Sequence, residues 1–294
     1  MGYIRLKDYE QTIQSEGLKQ INGDNDNVRL ACESSAIDEA KSYLTPKFNI
    51  DVEFRSIEIW NPSLTYKAYD RTHIEYPAWN IATAYVVGDK VTYQDKAYNC
   101  TTANTGQAPT TLTGWALIGD KYDLYYVHSP FEQYQTNTQY NIGDEVFWND
   151  RTYTASKESI NIYPDSTTQT GYWVDNGEYE VPANTLLSDA DYWTKGDNRS
   201  LRMLECVLDI TLFKIHKRIA PRNIPEHRYI AYMGKDQDKL VYNNTKVIYP
   251  IYSALGWLQS CASGEDVNVS VVEVEPKQGH AIKSSQSPKN LNKY

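Results

Sequence analysis

The stretch WNIATAYVVGDKVTYQDKAYNC, residues 79–100, decides how this chain is put together, because it occurs twice. A shift of 55 residues lays Tyr85 on Tyr140, Gly88 and Asp89 on Gly143 and Asp144, Val91 on Val146 and Tyr98 on Tyr153. Tyr93 falls on Trp148 and Pro109 on Pro164 at the same shift. Each copy closes on a tryptophan, Trp115 before Gly119-Asp120 and Trp173 before Gly177-Glu178, the second after a gap three residues longer. Short Val, Thr and Tyr runs broken by turn residues are the composition of small antiparallel sheets. The Gly-Asp pairs at 88 and 143 are turn chemistry, since glycine frees φ and the aspartate caps the turn.

On either side the pattern is helical. Asp8 is placed to cap a helix over Tyr9 to Ile21, which stops at the polar cluster 22–27. A second helix is expected over Val28 to Leu44, with Pro46 just past its end, and the two read as an antiparallel hairpin. Residues 50–60 alternate polar and apolar as a half-buried strand does. Beyond the repeats, Leu201, Leu204, Leu208, Leu212, Ile215 and Ile219 recur at three and four residues, one apolar stripe that Pro221 ends. Glu226 to Met233 reads as a short helix, 251–263 as another ended by Gly264, and Val267 to Val274 as a strand. The segment from Pro276 carries four lysines and no acid, and reads as an extended arm.

These patterns make the chain α+β. A helical domain is expected from residues 1–59 and 199–275, split by an insertion, 60–198, with two β repeats at about 79–119 and 134–177. An arm of 276–294 follows. The insertion holds 16 of the 25 tyrosines, 6 of the 7 tryptophans and a net charge of -10, whereas 199–294 carries +5. An overall charge of -9 argues against a nucleic-acid-binding protein, whose affinity comes from clustered Lys and Arg. The four cysteines form no C-x-x-C pair, and Ala155 replaces Cys100 in the second repeat, so free thiols of a reducing cytoplasm are expected. There is no signal-peptide h-region and no apolar run of membrane-spanning length.

The residues AIDEAKSYL (36–44), LDITLFKIHKRIAPRNIPEHRY (208–229) and YSALGWLQSCASG (252–264) together resemble the head-to-tail adaptor, or connector, proteins of tailed phages. The resemblance covers some 150 residues by pattern and order. It implies a structural virion protein at the neck, made in the host cytoplasm. Such a protein self-associates into a ring, dodecameric by the resemblance, and contacts portal and tail proteins, with DNA only as passing cargo. Arg202, Lys214, Lys217, Arg218 and Arg222, with Lys277, Lys283 and Lys289 of the arm, are the partner-binding candidates it suggests. Arg202, Lys214, Lys217, Arg218 and Arg222, with Arg199 and Arg228, read equally as a solvated helix face, and the arm's alternative is a frayed terminus. The insertion of about 139 residues departs from the family pattern.

The repeat resembles the three-stranded carbohydrate-binding modules of the chitin and cellulose type: a Trp, then A-Y-x-x-G-D-x-V-x-Y, a further Tyr, a Pro and a closing Trp. The first copy keeps Trp79, Tyr85, Gly88, Asp89, Val91, Tyr93, Tyr98, Pro109 and Trp115, while the second has Tyr134 in place of the first Trp. Flat aromatic rings stack on the apolar face of a pyranose, which makes Trp79, Tyr93, Trp115, Trp148 and Trp173 the candidates for a surface glycan. In so small a module the same rings can be core, the expected role of Tyr85, Tyr98, Tyr140 and Tyr153. A carbohydrate-binding or glycan-targeting accessory protein is therefore the alternative to the adaptor. No catalytic or metal site is expected, and no cofactor: the five histidines lack metal spacing, and there is no G-x-S-x-G or phosphate loop.

Overall fold

The computed structural model describes residues 2–263 apart from 24, 46–47, 49, 110–112, 122 and 243–245. The strand expected over Val267 to Val274, the Gly264 cap, the arm, and Lys277, Lys283 and Lys289 lie outside the described residues. The chain is α+β, with helices toward both ends of the described residues and many small sheets between them.

Seven α-helices are described: α1 (Leu6–Tyr9), α2 (Ser15–Asn22), α3 (Asp26–Leu44), α4 (Ile50–Glu53), α5 (Leu201–Ile219), α6 (Glu226–Met233) and α7 (Ala254–Ser263). Ser200 caps α5 by accepting the Met203 N–H, and Asn25 caps α3 by accepting that of Asn27. Gly23, at φ 66°, takes the left-handed turn that ends α2. Helices α3 and α5 pack along their length, and α7 lies against both. Ala36 and Ala40 have no exposed surface, so α3 presents small side chains where α5 brings Leu204, Val207, Leu208 and Ile215. The α5 stripe is wider than expected: Met203, Ile210 and Thr211 are buried too, while Leu201 and Ile219 at its ends are exposed. With α2, α3, α6 and α7 all packed on it, α5 is a central helix rather than a surface one.

Two sequence expectations fail at the N-terminal side, both because long-range polar contacts overrule local pattern. The helix expected over Tyr9 to Ile21 is broken into α1 and α2. Asp8 takes the third position of α1 and accepts hydrogen bonds from Arg5 N (2.7 Å) and the Arg199 guanidinium (2.7 Å), while the buried Tyr9 hydroxyl donates to Glu33 (2.7 Å). The strand expected over 50–60 is reduced to Ile57–Ile59, preceded by α4. The Glu53 carboxylate there accepts from Tyr3 Oη (2.7 Å) and Ser200 N (3.2 Å), which turns the backbone toward the helical core.

Glu53 belongs to a buried polar junction where the chain leaves and re-enters the helical body. Arg71 donates to Asn198 Oδ1 (2.6 Å) and Glu53 O (2.9 Å), and Arg199 to Asp8, Asp197 (2.7 Å) and Tyr3 O (2.6 Å). Each buried charge has an opposite partner, the condition under which such groups fix geometry. Arg199 is thus not part of a solvated face, and neither is Arg228, whose buried guanidinium donates to Thr12 O (3.1 Å).

Between the junction and the repeats lies a four-stranded mixed sheet in the order 57–59, 71–73, 124–127, 193–195, its first pair parallel. Tyr66, Val127, Val181, Leu187 and Trp193 form a separate core on it. Each repeat then builds a three-stranded antiparallel sheet and a two-stranded ribbon. The first uses strands 90–93, 96–100 and 115–120 with 84–85 and 104–105; the second uses 145–148, 151–155 and 173–178 with 139–140 and 159–160.

Candidate functional site

The two repeats share their construction atom by atom. The Asn80 N–H donates to Tyr85 Oη at 2.7 Å and that of Gln135 to Tyr140 Oη at 2.8 Å. Gly88 N and Gly143 N each donate across the sheet at 2.8 Å, to Cys100 O and Ala155 O. Asp89 and Asp144 accept from Val86 N (2.8 Å) and Asn141 N (2.7 Å), so both carboxylates hold turns, as expected. Trp115 Nε1 donates to Gln107 O and Trp173 Nε1 to Ile162 O, and each indole lies edge-on to its tyrosine, Tyr85 or Tyr140, at 5.2 Å.

Those contacts decide which rings reach the surface. Trp115 is 3% exposed and Trp173 9%, and each forms the floor of its module; they are core, not ligand platforms. Trp148 is 2% exposed and is core as well. In a unit with so little interior, the rings are the interior. Tyr85, Tyr98, Tyr140 and Tyr153 are buried with them.

Trp79 and Tyr93 differ. Both are only partly buried, packed against the core from outside, with ring centroids 5.2 Å apart and planes at 81°. The main chain fixes them: Trp79 N donates to Thr92 O (2.9 Å) and Thr92 N to Pro77 O (2.8 Å), a parallel bridge that sets Trp79 beside the strand bearing Tyr93. Thr92 Oγ1 donates to Tyr76 O (3.0 Å), and Lys90 Nζ lies 5.7 Å from the Tyr76 ring; because Lys90 and Thr92 alternate with Val91 and Tyr93, this contact sits on the other face of the strand from the ring pair.

In the second repeat the counterparts are Tyr134 and Trp148, and a third ring covers them. Tyr163 lies 5.5 Å from Tyr134 and 5.4 Å from Trp148. At the 55-residue shift its counterpart in the first repeat is Ala108, which carries no ring. Trp79 and Tyr93 are therefore open among the described residues, and the Tyr134–Trp148 pair is closed. The sequence reading missed this exchange of Ala108 for Tyr163.

Residues 78–114 match the model of carbohydrate-binding module family 5/12. The match contains Trp79 and Tyr93 and stops one residue short of the buried Trp115. It covers the first repeat only, a small part of the chain. No curated protein matches the chain. Half-open aromatic rings suit a ligand with an apolar face, as a sugar has.

The basic candidates separate too. Arg202 pairs with Glu205 (3.3 Å) and lies over Trp257, and Lys214 pairs with Glu39 (2.8 Å). Lys217, Arg218 and Arg222 are exposed at the C-terminal end of α5, where cations complement the helix dipole. All four cysteines are buried and none forms a disulfide. Among the described residues there is no group of His, Cys, Asp or Glu fit to hold a metal, and no helix is long and apolar enough to cross a membrane.

Proposed function

We propose that this chain binds carbohydrate through its first inserted module, with Trp79 and Tyr93 as the stacking rings. The observation that carries this reading is that the family match over 78–114 coincides with the one repeat whose ring pair is uncovered among the described residues. The second module serves as a structural copy. Co-sedimentation of the full chain with insoluble chitin and cellulose tests this. Retention on either, lost in Trp79→Ala and kept in Trp148→Phe, supports it; a chain that stays in the supernatant with both removes it.

A second reading concerns the helical body: a non-enzymatic head-to-tail adaptor ring in the neck of a tailed phage, bound to portal and tail proteins. It is supported by the two ends of the chain sharing one core across the insertion, and by Lys217, Arg218 and Arg222 at one helix end. On this reading the modules hold a virion near a glycan-rich surface. Recovery of portal and tail proteins with the tagged chain from infected cells supports it, and recovery of polysaccharide alone sinks it.

A further inference from the structure

The four-stranded sheet that carries the two modules has their construction. Trp60-Asn61, Tyr66 and Asp70 stand 19 positions before Trp79-Asn80, Tyr85 and Asp89. The contacts follow the same shift. Trp60 N donates to His73 O at 2.8 Å, as Trp79 N does to Thr92 O, and the parallel pair Ile59 with His73 matches Ala78 with Thr92. Asn61 N donates to Tyr66 Oη and Lys67 N to Asp70 Oδ2, both at 2.7 Å, as in the modules. Tyr69 N donates to Val127 O (2.8 Å) and Val127 N to Asp70 O (3.0 Å), reproducing the exchange between Gly88, Asp89 and Cys100. Trp193 pairs with Val127 and lies edge-on to Tyr66 at 5.1 Å and 71°, where Trp115 pairs with Cys100 and meets Tyr85 at 5.2 Å and 69°.

We infer that residues 60–74, 123–128 and 179–195 are a third, discontinuous copy of the module, into whose loops both continuous modules are inserted. The insertion points can be read from register. His73 pairs with Leu124 as Thr92 pairs with Ala97. Ile74 and Asp123 therefore stand where Tyr93 and Lys96 flank the two-residue turn Gln94-Asp95, whose φ values are 47° and 61°. The first module replaces that turn. Tyr66 pairs with Val181 as Tyr85 pairs with Asn104, and His128 followed by Tyr179 and Glu180 has the spacing of residues 101–103. The second module replaces nothing there; it interrupts the chain between 128 and 179.

The split copy has also acquired a docking contact. At the position of Gly88 (φ 97°) and Gly143 (φ 92°) it has Tyr69, at φ 67°, a conformation that favours glycine. Its ring meets Phe147 of the second module edge-on at 5.6 Å, and its hydroxyl donates to Gln133 Oε1 at 3.1 Å. Lys67 with Glu178 (2.6 Å) joins the same two units, and Arg55, just ahead of the split copy, pairs with Asp150 of the second module. Tyr69 is thus a positioning residue that fixes the second module on its mount, at the cost of left-handed backbone.

Two experiments test this. Replacing 75–122 by Asn-Gly, a dipeptide suited to the I′ turn, closes the mount in register, and replacing 75–121 closes it one residue out. The first is expected to keep a cooperative melt and the near-ultraviolet signal of the remaining tryptophans, and the second to lose them; equal behaviour of the two variants overturns the third copy. Tyr69→Gly relieves the left-handed backbone and removes the ring. Proteolysis at the 128–131 and 178–180 joints is expected to rise roughly tenfold while the melt of the helical body is unchanged, because cleavage follows the undocked population. An unchanged cleavage rate overturns the docking role.

Discussion

The Trp79 ring stands edge-on to Tyr93 with centroids 5.2 Å apart, and the equivalent Tyr134 and Trp148 keep nearly the same geometry, 5.6 Å and 77°, under a third ring. One geometry thus serves as open surface in one module and as core in the other. The difference lies in a loop residue, Ala108 against Tyr163, rather than in the ring pair itself.

Exchanging that loop residue should exchange the surfaces. Ala108→Tyr is expected to abolish glycan retention by placing a ring over Trp79 and Tyr93, with a melting temperature within a few degrees of the parent. Retention at parental strength in Ala108→Tyr, with an intact fold by circular dichroism, would contradict the assignment.

The buried tryptophans should behave as core. Trp115→Ala and Trp173→Ala are expected to destabilise their modules by about 3–5 kcal/mol, the range for deleting a large aromatic from a packed interior. For units this small that approaches their whole stability. Urea unfolding followed by tryptophan fluorescence reads this, and a midpoint unchanged in either variant would return that indole to the surface.

Helix α3 meets α5 through Ala36 and Ala40, both without exposed surface. Ala40→Leu adds volume where none is free and should cost about 1–3 kcal/mol, whereas a substitution at the exposed Lys217 should stay within about 0.5 kcal/mol. Chemical denaturation of both variants compares them directly. Equal midpoints would mean that α3 and α5 are not in close contact.

Acid should open the junction. Burial alone would raise the Asp8 carboxyl, but hydrogen bonds from Arg199 and its charge, with Arg5, outweigh that and hold it below the ordinary 3.8; Asp197 is lowered in the same way by Arg199. A folded value below the unfolded one gives stability that is complete above 3.8 and lost as pH falls through the folded value. Glu33 and Glu53 are raised, chiefly by burial, so they take up protons earlier and oppose the loss. Asp8→Asn should cost about 3 kcal/mol at neutral pH, as breaking a buried pair does. It should also flatten the fall in melting temperature below about pH 4. Parallel acid profiles for parent and variant would remove Asp8 from the linkage.

Much of the helical body was legible because its signals are local. The recurrence from Leu204 to Ile215 and the stop at Pro221 placed α5, and α6 runs from Glu226 to Met233 as its pattern indicates. The break between α1 and α2 was not, since it depends on Asp8 meeting a residue 191 positions away. In the modules, the turn residues and the core tyrosines could be read from the repeat. Trp115, Trp148 and Trp173 are candidates by ring type, which says nothing of which side of a small sheet is closed, and all three are buried. The 55-residue alignment did hold the deciding signal, Ala108 against Tyr163. The third copy escaped because its strands are separated by whole modules and a tyrosine stands at its glycine position, although Trp60-Asn61, Tyr66 and Asp70 carry its outline.

Isothermal titration of the full chain with soluble chitin and cellulose oligosaccharides, beside the Trp79→Ala and Tyr93→Ala variants, tests the central claim most directly. The account predicts saturable heat for the parent with at least one of the two sugars, weakened roughly tenfold or more in each variant, as loss of a stacked ring implies. No heat from a folded parent, or equal affinity in parent and both variants, would contradict it.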